Sequence, residues 1–238
     1  MNVTDSQLAR IAGGPPPTTI TDVVAAMQEI DTLLPGGDGL KWFNLLYLKV
    51  TAQVNGNPPA AGWENPEWLA RLDVVFAQFY FRAISGWVSS GSAPSSWKAL
   101  FEARFRPDVE RIQFALAGMN AHINHDLPFA LLQADAELGL VPDNTSPEHD
   151  DFEHVNALLE ATVPTALQLL ATGILGELAQ DTGKLGRLLA IWNVRAARDL
   201  AWDLAGHLRS LAGIARATAL AVQDQMTGVV GRSLLVAI

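Results

Sequence analysis

The chain contains no cysteine. That excludes disulfides, thiolate metal ligands and a cysteine nucleophile, and it fits the reducing cytoplasm in which the protein is expected to reside. Charge is also scarce: Asp, Glu, Lys and Arg make up 17% of the 238 residues, too little for a disordered polyelectrolyte. The balance is acidic, with a formal net charge of −9. No broad nucleic-acid-binding face is therefore expected, because phosphate backbones reward clustered Lys and Arg. No uninterrupted apolar run approaches the ~18–20 residues that span a bilayer. The apolar end Ser233-Leu-Leu-Val-Ala-Ile238 is far shorter and points to docking on the core or on a second copy of the chain. The polar start, Met1-Asn-Val-Thr, lacks the basic-then-apolar order of a signal peptide. No P-loop, Gly-x-Gly-x-x-Gly, Gly-x-Ser-x-Gly elbow, His-Glu-x-x-His or EF-hand pattern occurs. A serine hydrolase thus has no support.

What is abundant is apolar mass. Hydrophobic residues are 49% of the chain, including seven Trp and nine Phe, enough for one sizeable core. Gly13-Gly-Pro-Pro-Pro17 breaks the chain early, so residues 1–17 read as an arm or short helix with a stiff connector, and 18–238 as one helical domain. Helices are predicted from about Thr21 to Leu34, Leu40 to Val54, and 66–90, where Trp68, Leu72, Val75, Phe76, Phe79 and Ala83 keep three-and-four spacing. Pro107 is predicted to open the next helix, which Pro128 should kink by removing a backbone bond and freeing the carbonyl of Asn124. Ser146-Pro147 reads as the start of another helix, and a last helical region covers roughly Lys184 to Met226. With no strand signal, the fold class is all-α: a single-domain helical bundle with a Pro-kinked central helix.

Acidic and imidazole side chains cluster at helical spacing. Asn120-Ala-His122-Ile-Asn124-His125-Asp126 holds a His-x-x-x-Asp pair, and Asp150-Asp151-Phe-Glu-His154 holds the reverse. Residues four apart lie on one helix face, ~5–6 Å apart at Cβ. If the two helices face each other, His122, Asp126, Asp150 and His154 converge as four nitrogen and oxygen ligands, the way helical proteins build metal sites in their cores. Such ligands without cysteine favour zinc, manganese or iron. A metal-bound water would then attack while His125 or Asp151 handles the proton.

Acidic residues just after Ser146 also suit a helix N-terminus on dipole grounds alone. The polar run from Asn120 is harder to place in an apolar helix without partners or an ion.

The last helical region adds Trp192, Arg195, Arg198, Asp199, Trp202, Asp203 and His207. Arg195 or Arg198 could grip an anionic group while Trp192 and Trp202 wall an apolar cavity, with Asn120 as a further substrate contact. An Arg195–Asp199 surface ion pair is the simpler account of part of that pattern. Asp203 with His207 is a third candidate ligand pair.

The stretch Met119-Asn-Ala-His-Ile-Asn-His-Asp-Leu-Pro128, with Lys41-Trp-Phe-Asn44 upstream, resembles an uncharacterised bacterial all-α family that carries a domain-of-unknown-function label. That resemblance implies the fold and no activity. His122-x-x-x-Asp126 with Pro128 behind it is also similar to the metal helix of zinc-dependent phospholipases C and related nucleases. Those enzymes use an N-terminal Trp ligand and a further His after the Pro, where this chain has Met1 and Phe129-Ala-Leu-Leu.

Together these features point to a metal-dependent enzyme that hydrolyses a small, largely apolar, phosphate- or carboxylate-bearing substrate. A rival is a terpene-cyclase-like lyase using magnesium on a prenyl diphosphate, although no Asp-Asp-x-x-Asp motif occurs. A third reading is a non-enzymatic ligand-binding or assembly module with the polar helix as a structural network. The expected partners are a small-molecule substrate and, through the apolar C-terminal end, a second copy of the chain in a homo-oligomer.

Overall fold

The computed structural model describes residues 3–172 and 193–237, and among these every regular element is helical. The order is α1 (Val3–Ala12), α2 (Ile20–Leu33), α3 (Gly39–Gly56), α4 (Pro66–Ser90), α5 (Ser95–Ala103), α6 (Arg111–Ala121), a π-helical turn (His122–Asp126), α7 (Leu127–Leu138), α8 (Pro147–Thr172), α9 (Val194–Ser210) and α10 (Gly213–Leu234). No helix of the described residues is long and apolar enough to cross a membrane.

Local chemistry sets the helix starts. Thr19 and Asp22 form a reciprocal capping box at α2, satisfying donors that a helix N-terminus leaves orphaned. Asp38 caps α3 through Leu40 N at 3.1 Å, and the same buried carboxylate receives Arg104 from the end of α5. Asn65 caps α4, with Pro66 in the first turn. Asp151 of α8 accepts Glu64 N at 2.8 Å and Asn65 N at 2.7 Å, fixing the chain as it enters that helix.

The pair α3 and α6 forms the centre. Helices α2 and α8 flank α3; α4 and α9 pack on α7; α10 covers α5 and α6. The α3–α6 crossing is close because Gly118 has no side chain: a Cβ there would stand 2.3 Å from the Phe43 ring. Helix α1 is more than an arm. Its Leu8 is fully buried, it packs on α4, and its Asp5 pairs with Arg104.

Two predicted boundaries are corrected. The helix expected from Pro107 begins at Arg111, because Arg106 and Asp108 close a turn on each other and Glu110 with Gln113 supplies the capping box. The described part of the expected Lys184–Met226 run is divided between α9 and α10. The break is at Leu211-Ala212, followed by Gly213 at a left-handed φ of +53°, which favours glycine. The apolar C-terminal segment docks within the chain: Leu235 is buried, and Gln113 Nε2 donates to the carbonyls of Leu234 and Val236.

Candidate functional site: a polar network at a π-helical turn beside an apolar cavity

Pro128 shapes the centre of the molecule. Lacking an N–H, it leaves the Asn124 carbonyl without its helical donor, and Gln223 Nε2 of α10 supplies one at 2.7 Å. Just before it the helix widens, and Leu127 N reaches back five residues to His122 O. The anticipated disturbance is thus a π-helical turn, a feature frequent at functional sites. His122, His125 and Asp126 all lie within it.

Asp126 is the hub. Its Oδ2 lies 2.9 Å from His122 Nδ1 and accepts Trp97 Nε1 at 2.9 Å, while Oδ1 lies 2.7 Å from His125 Nδ1. Burial alone would raise this carboxyl, but the hydrogen bonds from the two imidazoles outweigh it and hold it below the ordinary range. Burial also works against a proton on His125, yet the Asp126 hydrogen bond and the charges of Asp126 and Asp224 leave it raised. His125 Nε2 faces Asp224 Oδ1 at 3.6 Å. That carboxylate in turn caps α5 through Ser95 N and Ser96 N.

His122 differs from its neighbour. Burial lowers its affinity for a proton, and the hydrogen bond to Asp126 does not reverse this. An ionised carboxylate can only accept, so Nδ1 carries the hydrogen and Nε2 presents a lone pair. That Nε2 is buried and, among the described residues, has no hydrogen-bond partner. The ring lies flat on Phe76, centroids 3.5 Å apart and planes 4° apart, with Tyr47 at 4.5 Å and the Phe43 and Trp97 rings around it.

His122, Phe76 and Tyr47 line a cavity of about 70 Å³, room for several water molecules or a short molecule. Most of its wall is aliphatic, including Leu46, Val50, Val54, Leu159 and Val163. Among the described residues two charged ones break it, Asp73 of α4 and Arg198 of α9. Arg198 is 5% exposed; its Nε donates to Asn156 Oδ1 at 2.5 Å and its guanidinium lies over Phe152. No hydrogen bond from its two terminal nitrogens occurs among the described residues. Burial lowers its pKa to about 10, against the pull of Asp73 and Asp199. Asp73 makes no hydrogen bond among the described residues, and burial raises its carboxyl to about 7 despite Arg198.

The expected site residues are distributed as follows. His122, His125 and Asp126 come together; Asp150 and His154 do not join them. Both of the latter are exposed, with His154 Nδ1 beside its own helix's Asp150 carbonyl and its ring against Trp63. Among the described residues, no three His, Asp or Glu side chains are grouped to hold a metal ion. Asp151 is fully buried and spent on the backbone of Glu64 and Asn65. Asn120 is buried and ties α6 to the Thr227 carbonyl of α10. Arg195 pairs with Glu153 and Glu160 on the outside of α8. Trp202 packs on Trp68 and Phe152 and donates to Asn144. Asp203 and His207 are exposed, and Trp192 lies outside the described residues. Of the proposed substrate contacts among the described residues, only Arg198 lines the cavity.

Asp73 and Tyr47 were not anticipated. A signal for Asp73 was present: it sits four residues after Leu69 and three before Phe76, inside the apolar stripe of α4 rather than opposite it.

The fold and site define an all-α domain in which a carboxylate-oriented histidine on a π-helical turn faces a small apolar cavity. The chain belongs to a family described as a family of unknown function (DUF5995), whose model matches residues 20–237. No curated protein and no solved structure matches it, so the likeness to zinc-dependent phospholipases C gains no support from a relative.

Proposed function

We propose that the protein is an enzyme acting on a small, largely apolar molecule held in the α3–α4–α9 cavity. In this reading His122 Nε2 takes a proton from the bound molecule or from a water beside it. One observation carries the proposal: a buried imidazole nitrogen with no partner among the described residues, held as an acceptor by Asp126, on a residue that lines an apolar cavity also lined by a buried guanidinium. Leaving a buried polar atom unsatisfied costs about 1–3 kcal/mol, so a bound group that donates to Nε2 recovers that energy. Asp126 would hold the ring and stabilise the imidazolium that forms, a division of labour that general-base histidines share.

This reading replaces metal-assisted hydrolysis as the leading chemistry for a reason of donor geometry. Both Asp126 oxygens are taken by N–H donors, and Asp150 and His154 are exposed elsewhere. A prenyl diphosphate would also need more positive charge than one guanidinium supplies.

The test combines histidine ¹⁵N NMR on the full chain with elemental analysis. A protonated Nδ1 and an unprotonated Nε2 at His122 near pH 7, with the Nε2 signal moving when hexanol is titrated in, is the expected result. A hydrogen on Nε2, or an Nε2 signal insensitive to every probe, overturns the proposal. So does stoichiometric zinc, manganese or iron that disappears in His122→Ala, since that nitrogen would then be a metal ligand.

A further inference from the structure

Resting on that reading, we infer that the molecule taken by the cavity is a short apolar monocarboxylic acid, whose head group sits between Arg198 and Asp73 and whose chain lies along the aliphatic wall.

Charge balance in a mostly apolar cavity limits what can bind there. Arg198 is buried, yet among the described residues it uses only Nε on a protein partner, the Asn156 amide. Its terminal nitrogens form a planar donor fork that matches a carboxylate's two oxygens. Asp73 faces the same cavity with no hydrogen bond of its own among the described residues, although Arg198 is close enough to act on its charge. The other titratable side chains on that cavity among the described residues are Tyr47 and His122. Burial holds the Tyr47 hydroxyl neutral by raising its pKa and disfavours a proton on His122. Glu153 and Asp199 also act on Arg198. Glu153 is engaged by Arg195, and Asp199 by the Asn156 amide.

Two charges therefore decide what can enter. With a neutral ligand, ionised Asp73 and Arg198 remain each other's counter-charge. A carboxylate displaces Asp73 from that role, so Asp73 binds a proton, and guanidinium plus carboxylate stays neutral overall. The protonated Asp73 then has an O–H to donate to the ligand oxygen. Its carboxyl, already raised to about 7 by burial, makes that protonation accessible near neutral pH. A dianionic alkyl phosphate leaves an uncompensated negative charge in an apolar cavity, which is strongly disfavoured. The aliphatic wall formed by Leu46, Val50, Val54, Leu159 and Val163 accepts a hydrocarbon chain and offers a second polar head nothing.

Isothermal titration calorimetry on the full chain tests this with butanoate and hexanoate, the matching alcohols and the matching alkyl phosphates. Measurements at pH 8 in buffers of different ionisation enthalpy count protons. Hexanoate is expected to bind at least tenfold more tightly than hexyl phosphate, with uptake approaching about one proton per ligand. Asp73→Asn should keep hexanoate binding and abolish the uptake. Arg198→Gln should weaken hexanoate at least tenfold while hexanol affinity changes little, and Arg198→Lys should recover part of the loss. Hexanol affinity in Arg198→Gln also reports whether the cavity survives the substitution. Hexyl phosphate binding as tightly as hexanoate, or hexanoate binding without proton uptake, overturns the inference. Hexanol binding that moves the His122 signal while hexanoate does not bind sinks the carboxylate assignment and leaves the acid–base proposal standing. No binding by any member of the series removes both.

Discussion

The His122 imidazole lies flat against the Phe76 ring, centroids 3.5 Å apart and planes within 4°. This contact shields one face of the imidazole from water, so it contributes to the burial that keeps His122 neutral. Phe76→Leu retains an apolar side chain but removes the flat cover. It should cost about 1–2 kcal/mol in urea unfolding and raise the His122 pKa toward that of an ordinary imidazole, as read by ¹H–¹⁵N titration. An unchanged titration would mean that Phe76 packs beside His122 without setting its charge.

Asp126 anchors three N–H donors, from Trp97, His122 and His125. Asp126→Asn removes the charge and one acceptor oxygen, leaving donors unpaired in the core, and should destabilise by about 3 kcal/mol near neutral pH. The Asp126 carboxyl is depressed in the folded state, so its stabilisation is present above the ordinary carboxylate range and is lost as pH falls through its folded pKa. The gap between wild type and Asp126→Asn should therefore narrow below about pH 4. A gap that stays constant down to pH 3 would show that the charge contributes nothing.

Asp73 gives the opposite slope. Its carboxyl is raised to about 7, so the folded protein holds a proton that the unfolded chain has released. Stability should then decline between about pH 4 and 7 on its account. Asp73→Asn mimics the protonated form. It should match wild type near pH 4 and exceed it by on the order of 2 kcal/mol at pH 8. Chemical denaturation at the two pH values distinguishes this from a purely structural role, which would shift both equally.

How much of this was legible depends on which interactions are local. Three-and-four spacing through Trp68, Leu72, Phe76 and Phe79 places α4 correctly, because an amphipathic face is written along one segment. The His122–Asp126 contact was also local, four residues apart on one helix. By contrast, Asp150 with His154 has the same spacing and lies on the surface, since periodicity does not say which face of α8 turns inward. The partners that give His122 its character, Phe76 on α4 and Tyr47 on α3, come from sequence-distant helices. Pro128 announced a broken backbone bond at Asn124, but not that Gln223, 99 residues away, would supply the donor.

That last contact makes a prediction about the π-helical turn. Gln223 Nε2 donates to the Asn124 carbonyl that Pro128 leaves free. Gln223→Ala should cost about 1 kcal/mol, the cost of a half-buried acceptor losing its donor. Pro128→Ala restores an N–H four residues after Asn124 and gives that carbonyl an alternative partner. In the Pro128→Ala background, Gln223→Ala should therefore cost less than half as much. A double-mutant cycle by urea denaturation measures that coupling. Additive losses would show that the Gln223 bond and the missing proline N–H are unrelated, and would leave the π-helical turn to be explained by the Asp126 network instead. A positive coupling would assign the turn to a backbone defect that α10 repairs, with His122, His125 and Asp126 held at the repaired point.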